Sequence, residues 1–145
     1  MGLRFEATAV IDAGPEVVWR VLSDLRAYRE WNPYIVDARG SLEPGEPVEL
    51  KISPPDTPTF TIETQVNAVT PAEHLALGWQ SDDPDLFSGE AVFDINPTPF
   101  GAQVTFRQTV EGVPGLKKGL GDRNDLALEM MLAALKARCE RQSRH

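Results

Sequence analysis

The chain has one cysteine and two histidines in 145 residues, and that scarcity removes several chemistries at once. A lone Cys139 excludes an internal disulfide and a cysteine-built metal site, and its place late in a helical pattern reads as a structural thiol. His74 follows Pro71-Ala72-Glu73 at a strand start and His145 is the final residue, so a histidine-based metal site is hard to assemble. No Gly-x-Ser-x-Gly elbow anchors a serine nucleophile. Asp82, Asp83 and Asp85 sit astride Pro84 without calcium-loop spacing and read as a solvated turn. No cofactor is expected.

Basic charge is also short. Fourteen Lys and Arg stand against twenty-two Asp and Glu, for a formal charge of -8. An acidic chain without a Lys/Arg cluster repels phosphate backbones, so no nucleic-acid partner is expected. No stretch reaches the eighteen or so apolar residues of a membrane span, and the alternating N-terminus lacks the apolar core of a signal peptide. The expectation is a cytoplasmic domain, monomeric or homodimeric. At this length a single domain spanning residues 1–145 buries roughly 68–70% of its unfolded surface.

What is present is alternation. Leu3, Phe5, Ala7, Ala9 and Ile11 interleave with polar residues as a strand with one buried face. Ala13-Gly14-Pro15 ends it, and Pro15 suits the first position of a helix whose stripe is Val17, Val18, Val21, Leu22 and Leu25. A second short helix runs from Leu25 to about Glu30 and stops before Asn32-Pro33. Period-two runs follow over Ile35–Leu42, Val48–Ser53, Thr59–Val69, Leu75–Gln80, Ser88–Asn96 and Gln103–Glu111, separated by Pro- and Gly-rich clusters. Such short connections make an antiparallel meander.

The chain closes with a long helix from about Asp122 to Arg141. Its polar stripe is Asp125, Glu129, Lys136 and Glu140. The opposite face is Ala127, Met131, Ala134 and Arg138, flanked by Leu128, Met130 and Leu135. Small residues and a flexible thioether on that face suit a helix roofing a space. The glycines from Gly112 to Gly121 suit a mobile lid, since the Gly-Lys-Ser/Thr ending of a phosphate loop is missing. A seven-stranded sheet with one apolar face needs a cover, and this helix alone is long enough. The α+β architecture is therefore a curved seven-stranded antiparallel sheet wrapped around a long C-terminal helix, with two short helices after the first strand. A flat sheet with a filled core is the competing arrangement.

Strand parity assigns the inner face. Leu50, Phe60, Ile62, Leu77, Trp79, Phe93 and Phe106 point inward, and Gln108 shares that parity as a polar exception. A buried amide without a partner costs about 1–3 kcal/mol, so Gln108 should bond the backbone, a water or a ligand. Arg107 should face outward and pair with Glu90 or Asp94; a one-residue slip would exchange Arg107 and Gln108. Trp31 and Tyr34 stand where the short helices meet the sheet, as pocket mouth or as packing. Arg138 either snorkels past the helix end or meets a ligand carboxylate. Glu63, Glu90 and Asp94 fall outside.

Three stretches resemble a known family: Ala13 to Asp24 with Tyr28 to Pro33, Ser88 to Ile95 with Gly101 to Glu111, and Ala134 to Glu140. They are similar to the SRPBCC superfamily of START-related lipid-transfer domains, pollen-allergen-like proteins and polyketide cyclases, whose fold is the helix grip. Ala91 departs from the pattern, since many relatives carry His there. The resemblance implies an internal cavity for a small hydrophobic molecule, a lipid, steroid or polyketide-like compound. Trp31, Tyr34, the inward side chains from Leu50 to Gln108, and Ala127, Met131 and Ala134 of the helix would line it. Carriage without catalysis is expected, because the inner face offers almost no titratable group; a polyketide cyclase or dehydratase using the same cavity is the alternative. A protein-interaction domain would need an apolar patch on the outer sheet face, where Val10 and Val92 alone do not make one.

Overall fold

A computed structural model describes residues 3–53, 58–79, 88–111 and 118–143. The elements run β1 (Leu3–Ile11), α1 (Pro15–Ser23), a 3-10 turn (Leu25–Ala27), α2 (Tyr28–Trp31), β2 (Ile35–Gly40), β3 (Pro47–Ile52), β4 (Phe60–Thr70), β5 (His74–Trp79), β6 (Ser88–Thr98), β7 (Gly101–Glu111) and α3 (Lys118–Ser143). All seven strands form one antiparallel sheet ordered β1-β7-β6-β5-β4-β3-β2. Strands β2 to β7 are a plain meander, and β1 returns to pair with β7 from Leu3↔Val110 to Ile11↔Ala102. The α+β helix-grip arrangement expected from the strand and helix order is the one observed.

Local chemistry explains the joints. Pro15 opens α1, where its missing N–H costs nothing, and Val18, Val21 and Leu22 bury the inner stripe. At the α2–β2 junction Asn32 Oδ1 accepts from the N–H groups of Tyr34 and Ile35 at 2.9 and 2.8 Å, an Asx turn that converts helix to strand beside Pro33. The fully buried Tyr28 hydroxyl donates to the Leu22 carbonyl at 2.6 Å, tying α2 to the end of α1. β2 ends at Gly40, two residues short of the expected Leu42, because φ there is +144°. In β4 the pairing slips between Val66 and Ala68, so Asn67 is a bulge residue. Beyond it Val69 packs against the core, whereas unbroken alternation would turn it outward.

The core is the concave face of the sheet, with α1 and α3 over it. Phe93 and Phe106 are direct cross-strand partners with ring centroids 4.5 Å apart. Each full side-chain burial contributes about 1.5–3 kcal/mol, and the aromatic contact adds about 0.5–1.5 kcal/mol. Thr64 occupies an inward position because its hydroxyl donates to the Val48 carbonyl at 2.7 Å.

Helix α3 differs from expectation in two respects. Its backbone is helical from Lys118, so Gly119 and Gly121 belong to the helix rather than to a lid. Residues 112–117, the rest of that expected lid, and the Asp82–Asp85 turn lie outside the described residues. The buried face is also rotated about a quarter turn. Leu128, Met131, Leu132, Leu135 and Cys139 are buried, while Ala127, Ala134 and Arg138 flank them and Met130 is 54% exposed. The helix packs chiefly along β1 and α1, which selects the Leu-rich stripe over the Ala-rich one.

Candidate functional site

The sheet curls far enough for its β2 edge to reach β7, the second strand from the other edge. Tyr34 immediately precedes β2, the last strand of the sheet, and Gln108 lies on β7, five strands away. Five strand spacings amount to about 24 Å on a flat sheet. Yet the Tyr34 hydroxyl donates to Gln108 Oε1 at 3.1 Å, which only a concave sheet permits. Gln108 is thus inward, 7% exposed, and the last hairpin has the register that parity assigned.

The thirteen positions singled out by sequence divide into two groups. Tyr34, Leu50, Leu77, Trp79, Phe93, Phe106, Gln108 and Met131 are buried on the concave face or beneath α3. Trp31, Phe60, Ile62, Ala127 and Ala134 are only half-buried, and the first four pack against the core while retaining access. Phe60 pairs with Ile52, which pairs with Ile35 next to Tyr34, so one row of apolar residues runs from β4 to the Tyr34 margin.

Two donors near that margin are buried without a partner, Trp31 Nε1 and Asn32 Nδ2. Asn32 is 4% exposed, and its carbonyl oxygen is already committed to the Asx turn, which fixes where the amide nitrogen lies. Sequence reasoning passed over Asn32, although an Asn before Pro signals a turn whose amide must go somewhere. An unmet buried donor costs about 1–3 kcal/mol and marks a position suited to an acceptor.

The buried polar side chains among the described residues are Asn32, Thr64 and Gln108, none of them titratable. Two buried groups that do titrate are both pushed away from ionisation. Burial, then the Asp24 carboxylate, raises the Tyr28 phenol well above its usual range. Burial, then Glu140, raises the Cys139 thiol to about 12. Charged residues collect on the convex face. Arg107 pairs with Asp94, whose other oxygen lies 2.6 Å from His74 Nδ1, while Glu90 accepts from Asn67 at 2.9 Å. Arg138 pairs with Glu30 of α2 at 3.0 Å, an intramolecular partner that sequence reading did not consider. A depression of about 830 Å³ beside Gly78 is bordered by Glu63, Gln65, Asn67 and Glu90, all outward. Its polar rim belongs to the convex face, not to the apolar interior. Among the described residues no group of three or more His, Cys, Asp or Glu is placed to hold a metal ion, and no helix is long and apolar enough to cross a membrane.

A sequence profile described as "Polyketide cyclase / dehydrase and lipid transport" matches residues 2–141. No curated protein matches the sequence. Among solved structures, protein MLL2253 of Mesorhizobium loti superposes with a TM-score of 0.73 at 20% identity, covering 96% of this chain and 98% of that one. A START superfamily protein of Mycobacterium smegmatis gives 0.73 at 20% identity, with 97% and 98% covered. The di-domain ARO/CYC StfQ of the steffimycin biosynthetic pathway gives 0.74 at 14% identity; it covers all of this chain, which spans about half (53%) of StfQ. These likenesses are likenesses of fold.

Proposed function

Because this chain belongs to the polyketide cyclase/dehydrase and lipid transport family, we propose that it binds and carries a small hydrophobic molecule on the concave side of its sheet. The observation that carries the reading is the composition of that interior. Among the described residues it is apolar, Tyr34 and Gln108 bridge it, and its buried polar side chains Asn32, Thr64 and Gln108 are not titratable. Half-buried Trp31, Phe60, Ile62, Ala127 and Ala134 supply the accessible apolar surface that a ligand body would cover, at about 25 cal/mol per Å² removed from water. The buried residues Leu50, Leu77, Trp79, Phe93, Phe106 and Met131 form the wall behind it. Trp31 Nε1 and Asn32 Nδ2 each suit an acceptor oxygen on the ligand, such as a ketone, carboxylate or phenol. The expected cargo is a lipid, steroid or polyketide-like compound with a single polar end.

Native mass spectrometry of gently purified protein should reveal a bound apolar small molecule, and an apolar fluorophore should compete with it. Ala134→Trp should abolish fluorophore binding while thermal unfolding stays cooperative. Fluorophore binding that survives this substitution overturns the placement. A polyketide-type ligand returned from the protein cyclised or dehydrated, rather than unchanged, would replace carriage with catalysis.

A further inference from the structure

The outward face of α3 is apolar, and its pattern is complementary to itself. Leu126 and Met130 are 57% and 54% exposed, two of the four large apolar side chains that stand out among the described residues. Ala133 and Ala137 continue the same stripe and are exposed as well. The spacing of four, three and four residues is that of a helix–helix seam. We infer that this face joins α3 of a second copy of the chain in an antiparallel pair about a two-fold axis between residues 131 and 132.

Three features select that partner and that direction. Around this axis Leu126 meets Ala137 of the other copy and Met130 meets its Ala133, so each large side chain lies over a small one. A parallel pair would put Leu and Met against their own copies at one end and Ala against Ala at the other, leaving the helices unevenly spaced along the seam. Charge agrees with size. Glu129 and Lys136 flank the stripe on one side, seven residues apart, where an antiparallel pair brings each Glu129 to the other copy's Lys136 twice over. A parallel pair would instead bring Lys136 towards Arg141. Lys136 already pairs with Glu140, but its ammonium has three donors, and an exposed pair of this kind contributes at most about 1 kcal/mol. Opposed helix dipoles add in the same direction. One helix face is smaller than the roughly 800 Å² per partner of a standard interface, so the dimer is weak and concentration-dependent. The stripe lies opposite the buried Leu128–Cys139 face, so pairing leaves the concave interior untouched.

Analytical ultracentrifugation over a dilution series should show a monomer–dimer equilibrium. Met130→Glu should move the midpoint at least tenfold to higher concentration with the melting curve unchanged. Glu129→Lys and Lys136→Glu should each weaken association several-fold, and the double exchange should restore it. For direction, Leu126→Cys alone should not oxidise to a disulfide dimer, since the two copies of residue 126 lie roughly 16 Å apart along the antiparallel axis. An equal mixture of Leu126→Cys and Ala137→Cys proteins should. The buried Cys139 does not compete. A protein that stays monomeric at the highest concentration, a double exchange that fails to restore association, or self-linking of Leu126→Cys overturns the inference.

Discussion

At the scale of single residues, Cys139 shows how position sets reactivity. Burial and the neighbouring Glu140 carboxylate raise its thiol from the ordinary 9.0 to about 12. The folded protein should therefore resist iodoacetamide at pH 8 and label only on unfolding; rapid labelling of the folded state would contradict the burial. The same shift makes stability depend on pH. Below pH 9 the thiol is neutral in both states and its contribution is fully present. Between pH 9 and about 12 the unfolded chain loses its proton and the folded chain does not, so stability falls, by at most about 1.4 kcal/mol per pH unit for one group. Urea midpoints at pH 7, 9.5 and 10.5 should decline, and Cys139→Ala should flatten the decline. Part should persist, because the buried Tyr28 phenol is shifted in the same direction.

At the scale of elements, the β4–β5 turn stores strain that one substitution can release. Ala72 has φ +65°, a left-handed conformation that costs an L-residue about 1–2 kcal/mol. Glycine removes that cost and gives back about 0.4–1 kcal/mol in unfolded-chain entropy. Ala72→Gly should thus stabilise the protein by about 1 kcal/mol, read as a raised urea midpoint at unchanged m; a lowered midpoint would refute the strain. The turn itself was legible in Thr70-Pro71-Ala72-Glu73, whereas its handedness was not, since alanine carries no signal for positive φ. Helix α3 teaches a similar limit. Its existence and length were plain, but apolar residues occupy both its buried and its exposed faces, and the polar stripe lies to one side of both. A wheel alone cannot then say which apolar face turns inward; packing against β1 and α1 decides it. Strand alternation was a better guide, failing past the Asn67 bulge and across the irregularity at Val36 of β2, where one extra residue reverses parity and Ile35 and Ala38 are both buried.

At the scale of the whole molecule, the curl of the sheet is what converts seven strands into an interior. Alternation along β7 was enough to place Gln108 inside between Phe106 and Val110. Its contact with Tyr34, 74 residues earlier in the chain, was not readable, because it exists only once the β2 margin has curled over to β7. If that hydrogen bond helps to hold the curl, the two side chains should be energetically coupled. Tyr34→Phe and Gln108→Leu should each cost about 1 kcal/mol in urea unfolding. The double variant should cost less than their sum, by about 0.5–1.5 kcal/mol. Strict additivity would mean that the margins are held elsewhere and that the bridge is incidental to closure. Asn32, whose Oδ1 accepts from the Tyr34 N–H, leaves its Nδ2 unpartnered at the same β2 margin. A ligand whose polar end docks there should therefore bind more weakly to Tyr34→Phe than its apolar contacts alone would predict, while an apolar fluorophore should discriminate little between the two proteins.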